Sequence, residues 1–249
     1  MLKTWSLRLS LGLMALIIIG LFTAPAQLLE NQLTSQVSGL KTTAATGRFV
    51  SGGFEQIQYQ NTTVNQITWN LSLLSLLTAN IGADININDP LFNGQLFIQQ
   101  GVSGSTSISD VNATQSLVAL AKNYSPLRLL RPKGFLEWKA IALAFDSQSF
   151  EQTEGEILWQ NAQIDFNSSP FSLGTIKLTP SIENGELLLQ LSSDSILELN
   201  GVISVNRNRT YKFSASIKEQ LPANILNAVR YFARPNGNGR LEMTMSGRW

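Results

Sequence analysis

"TGRFVSGGFEQIQYQNTTVNQITWNL" (46–71) decides how the chain is read. A glycine–arginine pair opens it, two more glycines follow, and a tryptophan closes a run of alternating apolar and polar residues. Successive side chains of a strand point to opposite sides. Ile57 and Tyr59 therefore share one face of a strand, and Ile67, Trp69 and Leu71 share a face of the next.

The same period of two governs the rest of the chain from Thr43 onward. It pairs Ile85 with Ile87 and Ile203 with Val205. It also aligns Tyr211, Phe213, Ala215 and Ile217, and then Leu241, Met243 and Met245. Turn signals bound these runs: "NDP" at 88–90, "NSSP" at 167–170, "ENG" at 183–185 and "PNGNG" at 235–239. Strands joined to their sequence neighbours make an antiparallel meander. A faint repeat with a 21-residue offset supports this: Gly134 to Trp138 with Phe145, then Gly155 to Trp159 with Phe166. Each tryptophan falls on the side of its glycine. The phenylalanine, at an odd offset, faces away unless a bulge intervenes.

Two segments have helical spacing instead. "SLVALAKNY" (116–124) places Leu117, Leu120, Ala121 and Tyr124 on one stripe, with Ser116 as cap. "LPANILNAVRYFARP" (221–235) aligns Ile225, Leu226, Val229 and Phe232 between Pro222 and Pro235. The fold expected is mainly β: an N-terminal transmembrane helix, then a curved, largely antiparallel meandering sheet with two short helices.

The transmembrane expectation comes from the amino end. Lys3 and Arg8 are followed by an uncharged run from Leu9 to Leu29. As a helix this run would extend about 30 Å, the thickness of the hydrocarbon layer. Lys3 and Arg8 on its amino side orient the amino terminus to the cytoplasm by the positive-inside rule. A cleaved signal peptide is the alternative, since Ala24-Pro25-Ala26 resembles a processing site. Leu29, Leu33, Val37 and Leu40 continue a helical stripe beyond it and favour an uncleaved anchor. Four regions result: a cytoplasmic 1–8, a span 9–29, a membrane-proximal helix or linker 30–42, and a β-rich domain 43–249 on the far side.

Composition narrows the chemistry. The 249 residues carry a net charge of +1 with only 14% charged, so nothing electrostatic points to nucleic acid. There is no cysteine and no histidine. Disulfides, thiolate nucleophiles, Ser-His-Asp triads and most zinc sites are thereby excluded, and no cofactor or metal is expected. Carboxylates remain. Glu151, Glu154 and Glu156 lie close in sequence and could serve glycoside hydrolysis, but they flank Gly155 at an expected turn, where a solvated loop is the simpler reading. "GADININDP" offers Asp84, Asn86, Asn88 and Asp89 for calcium, yet lacks the downstream glutamate and reads equally as a strand. The basic residues Arg128, Arg131 and Lys133 could meet lipid headgroups or form an exposed connector. Six Asn-x-Ser/Thr triplets are expected by chance in so polar a chain.

A short charged amino end, one apolar span, then Gly47, Arg48 and Gly52 leading to Trp69 and Leu71 resembles the type II secretion system protein N family. Phe49 stands where the first aromatic is expected. The likeness continues through Gly155, Trp159, Ala162 and Gly174 to Gly239 and Gly247. The sequence departs from it after Leu71, where Ser72 and Leu73 replace an expected proline. The resemblance implies a single-pass protein of the bacterial inner membrane with a periplasmic β domain. It implies a role in exporting folded proteins across the outer membrane beside other inner-membrane and periplasmic subunits. It carries over no catalytic residues. The alternative from the residues themselves is a lipid carrier, with an apolar groove in the curved sheet.

Overall fold

Each strand that alternates apolar and polar residues has one dry face, and it can be satisfied by a neighbour whose own dry face lies on the same side. The computed structural model describes residues 20–248 apart from 21, 61, 124–130, 167–168, 194, 222–225, 227–228 and 231–232. It shows one antiparallel sheet of 14 strands. They are β1 (Leu40–Gly47), β2 (Ser51–Tyr59), β3 (Thr62–Ser72), β4 (Asn80–Asn88), β5 (Phe92–Gly101), β6 (Thr106–Ser116), β7 (Lys133–Phe145), β8 (Phe150–Phe166), β9 (Ser169–Glu183), β10 (Glu186–Ser193), β11 (Asn200–Val205), β12 (Thr210–Lys218), β13 (Arg234–Pro235) and β14 (Arg240–Arg248). Spatial order follows sequence order, except that β14 lies between β12 and β13. This is the meander expected.

Register makes the dry face continuous. Directly paired residues trace one row across the sheet: Ala45, Phe54, Ile67, Ile87, Gly94, Ala113, Trp138, Ile157, Leu178, Leu191, Gly201, Ala215 and Met243. The adjacent row on the other face is polar over the first six strands: Thr46, Gly53, Thr68, Asn86, Gln95 and Asn112. A slip of one residue would exchange the two faces, so burial itself holds the register.

The 21-residue repeat is a pair of reciprocal bulges. Ala140 in β7 and Asn161 in β8 have φ near +50°, and the register between β7 and β8 shifts beside each. The extra residue returns Ile141, Leu143 and Phe145 to the side of Trp138, and Ala162 and Ile164 to the side of Trp159. Each glycine makes room for the other strand's bulge. A Cβ on Gly155 (φ +95°) would lie 2.6 Å from the carbonyl oxygens of Lys139 and Ala140, and one on Gly134 (φ +93°) 2.7 Å from that of Asn161. The condition attached to the phenylalanines is therefore met in β7, where Phe145 is described.

Three helices are described: α1 (Gln27–Gln36), α2 (Leu73–Leu77) and α3 (Leu117–Asn123). α3 is the expected helix, with Ser116 Oγ accepting from the Ala119 N–H and with Leu117 and Ala121 buried. The second expected helix lies mostly outside the described residues. What is described of it keeps helical bonds, Arg230 N–H to Leu226 O and Ala233 N–H to Val229 O. α2 was not foreseen.

The amino-terminal boundaries shift. The sheet begins at Leu40, not Thr43, because Leu40 already pairs with Tyr59. The span expected at 9–29 cannot run as one helix to its end. Pro25 bridges Arg48, and Ala26, fully buried, packs into the sheet before α1 starts at Gln27. Most of the expected span, with Lys3 and Arg8, lies outside the described residues. Among those described, no helix is long and apolar enough to cross a membrane.

Two tests follow. Gly155→Ala forces a Cβ into two carbonyls at a left-handed φ, a cost of about 2 kcal/mol. In a domain of this size that lowers the melting temperature by about 4–8 °C, measurable by calorimetry. The second is pH. Asp165 is held below the ordinary carboxylate range by a hydrogen bond from Lys133, Glu156 by one from Lys177, and Glu198 by one from Lys218. Asp146 is lowered by the backbone N–H groups of Ser149 and Gln148. A depressed carboxylate stabilises the fold above its unfolded value and stops doing so as pH falls through the folded value. Stability should therefore decline below about pH 4 and stay flat between about 5.5 and 7.5, where no histidine titrates.

Candidate functional site

The most constrained part of the molecule is the turn between β1 and β2, and it works as a clamp. Arg48 and Ser51 exchange backbone hydrogen bonds of 2.8 and 3.2 Å across Phe49 and Val50. Gly47 enters the turn at φ +87°, where a Cβ would lie 2.8 Å from the Gly52 Cα. Gly52 pairs with Gly47 on one side and Trp69 on the other. A Cβ on Gly52 would lie 2.7 Å from the indole Cζ2 of Trp69. The indole thus covers Gly52.

The indole Nε1 donates to the Phe49 carbonyl at 3.0 Å, tying β3 to the turn. Its ring lies 4.7 Å from that of Phe54, and both are buried. Leu71, two residues on, donates its N–H to the Val50 carbonyl at 2.7 Å.

The clamp also grips the incoming chain. Phe49 N–H donates to Ala24 O at 2.8 Å, and Ala26 N–H to Gly47 O at 3.2 Å. Gln27 Nε2 donates to Ala45 O at 3.1 Å. α1 then runs along β1, with Leu29 and Leu33 against Ala45, Phe54 and Trp69, and Thr42 Oγ1 donates to Glu30 Oε1 at 2.6 Å. Carbonyls on the outer edge of β1, which could pair with another strand, are taken by the protein's own chain.

The remaining motif residues divide. Gly155, Trp159, Ala162 and Gly174 come together around the β7–β8–β9 bulges. Trp159 Nε1 donates to Lys133 O at 2.8 Å, and fully buried Ala162 faces Gly174 at φ +75°. Gly239 is a turn residue at φ +72°. Gly247 lies under Tyr211, whose hydroxyl would be 2.7 Å from a Cβ there.

Of the candidate acids, Glu151 and Asp84 are exposed, and Glu154, Glu156 and Asp89 have partners. Glu156 pairs with Lys177 at 2.6 Å, and Glu154 accepts from Gln152. Asp89 is buried and accepts from Asn65, at its N–H and its side-chain amide, and from the Leu91 N–H at 2.7 Å, so it organises a turn. Asn88 donates to Gln66 across the polar face. Lys133 is paired with Asp165 at 2.8 Å; Arg131 is exposed; Arg128 lies outside the described residues. Among the described residues, no three acidic side chains are grouped to hold a metal. A hollow of about 860 Å³ is an open trough whose lining includes Thr46, Gln66, Thr68, Asn86, Gln95 and Asn112 together with Phe54, Ile67 and Ile87.

α2 escaped the sequence reading. Its Ser75 is buried against Gly82 while its leucines face out. The signal was available in "LLSLL", where the lone polar residue sits at the centre of a short apolar run.

A clamp of this construction should depend on the indole N–H as well as on its bulk. Trp69→Phe keeps the ring contact but leaves the Phe49 carbonyl without its donor, a cost of about 1–3 kcal/mol in denaturant titration. Trp69→Ala should cost about 3–5 kcal/mol. Equal stability of wild type and Trp69→Phe would show that the bond contributes nothing.

Residues 38–244 match the family described as "Type II secretion system (T2SS), protein N". Among similar proteins, "Type II secretion system protein N" of Vibrio cholerae serotype O1 is 25% identical over 256 residues, covering 98% of this chain and 97% of that one. The protein of the same name from Aeromonas hydrophila is 24% identical, covering 90% of each chain. That of Pectobacterium carotovorum is 21% identical, covering 95% of this chain and 96% of its own. No solved structure matches. The match runs from the end of α1 into β14, through both glycine–tryptophan constellations, and the chain belongs to the type II secretion system protein N family.

Proposed function

We propose that this chain is a non-enzymatic, inner-membrane-anchored component of the type II secretion machinery. It supports export of folded proteins across the outer membrane through protein–protein contacts of a periplasmic β domain. Lys3 and Arg8 flank the anchor on the cytoplasmic side, and the partners are other inner-membrane and periplasmic subunits of the machine.

One observation carries the contact reading: the two edges of the sheet are treated differently. The β1 edge is closed at its far end, where Gln27 and Ala26 take the carbonyls of Ala45 and Gly47. On the other side, β13 pairs only with Leu241 and Glu242 of β14. Among the described residues nothing pairs with β14 from Met243 to Arg248 on that side, and Met245 is exposed. An open edge of this length accepts a strand from a partner through main-chain hydrogen bonds. Arg240 and Arg248 at its ends discourage indiscriminate pairing.

Removing the chain from its host should leave normally exported enzymes in the periplasm, as an assay of secreted activity would show. Ser246→Cys adds a lone thiol at the open edge of a cysteine-free protein. A heterobifunctional maleimide–succinimidyl ester crosslinker, which joins this thiol to a lysine amine, should link it in intact envelopes to another secretion subunit. Unimpaired export without the chain would refute the proposal.

A second reading, carriage of a lipid on the apolar face, is favoured by one feature: Ile67, Ile85, Ile87 and Leu96 of that face remain half-exposed. A stoichiometric phospholipid in mass spectrometry of the purified full chain, with export intact in its absence, would favour this reading over the first.

A further inference from the structure

The end of the sheet at which the amino-terminal segment arrives carries a helix with its polarity inverted. In α2, Ser75 is 8% exposed and packs against Gly82, whereas Leu74 and Leu77 are 76% and 77% exposed. Leu73 and Leu76 are nearly half exposed. A short helix on a water-facing surface buries its leucines and shows its serine. Here the arrangement is reversed, and it is held so by the sheet: Ser72 pairs with Gly82, and Thr78 Oγ1 donates to Ser75 O at 2.9 Å.

The patch extends past the helix. Ile81, at the start of β4, is exposed, and Asn80 pairs with Gly101, so Val102 in the β5–β6 turn stands beside it at 85% exposure. No charged residue occurs from Gln56 to Ala83, nor from Pro90 to Ser109. The β3–β4 and β5–β6 connections at this end are therefore free of the charges that usually cover a solvated turn. Contiguous exposed apolar surface of this kind marks a contact with a membrane or another protein.

The backbone says which. Ala24 is bonded to Phe49, Val50 to Leu71, and α2 begins two residues after Leu71. The apolar run that ends at Thr23 and the exposed leucines are thus joined through three hydrogen-bonded segments at one end of the first three strands. If that run lies in a bilayer, its exit point brings α2 to the lipid interface.

We infer that α2, with Ile81 and Val102, is a membrane-interface foot: Leu74 and Leu77 insert among the acyl chains and hold the first strands upright on the bilayer. The occupant is a phospholipid surface. The inference rests on the anchor reading given above, and the test separates the two.

The test uses the full chain in vesicles of phosphatidylethanolamine and phosphatidylglycerol. Single cysteines are placed by Leu74→Cys, Leu77→Cys, Leu16→Cys and Gln60→Cys, each labelled with an environment-sensitive fluorophore. Gln60 lies in the β2–β3 turn at the opposite strand ends and serves as control. Unchanged strand content by circular dichroism verifies the fold of each variant. Labels at 74 and 77 should be quenched at least about twofold by spin-labelled lipid, and the label at 60 should not. Quenching at 16 without quenching at 74 and 77 overturns the foot and leaves the anchor standing. Quenching at 74 and 77 without quenching at 16 supports the foot and overturns the anchor. Labels at 74 and 77 shielded from aqueous iodide but untouched by lipid quencher would mean a protein partner covers the leucines, which also overturns the foot.

Discussion

The indole of Trp69 lying against Gly52, which is itself paired closely with Gly47, is the contact on which the first third of the molecule depends. A ring that size can approach the backbone so closely only where neighbouring positions lack a Cβ. Its single N–H then reaches the Phe49 carbonyl and fixes the turn that grips Ala24 and Ala26. The motif of two spaced glycines and a later tryptophan is the mechanical joint between an incoming chain and a sheet.

From that joint the sheet grows by one rule, repeated. Each strand adds one apolar residue to the row from Ala45 to Met243, and each has a neighbour of matching side. A sheet of 14 strands would accumulate a large twist if uninterrupted. The bulges at Ala140 and Asn161, each faced by a glycine, shift the register in the middle of the sheet where its longest strands lie. Apolar packing is divided accordingly into three clusters: under α1, in the middle strands, and beneath the segment around Leu226 and Val229. Stability is spread along the sheet instead of being concentrated in one centre.

Much of this was readable beforehand because alternation is a local signal. Ile67, Trp69 and Leu71, or Tyr211 to Ile217, announce their faces without knowledge of their partners. Turns at Asn184-Gly185 and Asn236 to Gly239 announced themselves by residues tolerant of positive φ. Long-range facts were harder. That Gly155 faces Ala140, and Gly134 faces Asn161, follows from the β7–β8 register, which no local window contains. The same holds for Asp89: "NDP" marks its turn, but its partner Asn65 is 24 residues away. The boundary at Pro25 is not marked by charge, which is absent as far as Leu29; the bridge to Arg48 sets it. α2 was missed because leucines at helical spacing are ordinarily read as buried, and these are not.

On the proposed reading the module acts through its edges, closed at Ala45 and Gly47 by the incoming chain and open along β14 from Met243 to Arg248 among the described residues. Amide hydrogen exchange of the full chain in membranes, without partner subunits and followed by mass spectrometry, measures that asymmetry directly. Residues 24–27 and 45–50 should exchange as slowly as the central strands β6 to β8, while residues 243–248 should exchange far faster. Equal exchange at the two edges, or rapid exchange at the clamp, would contradict the claim that the Trp69 joint closes one side of the sheet.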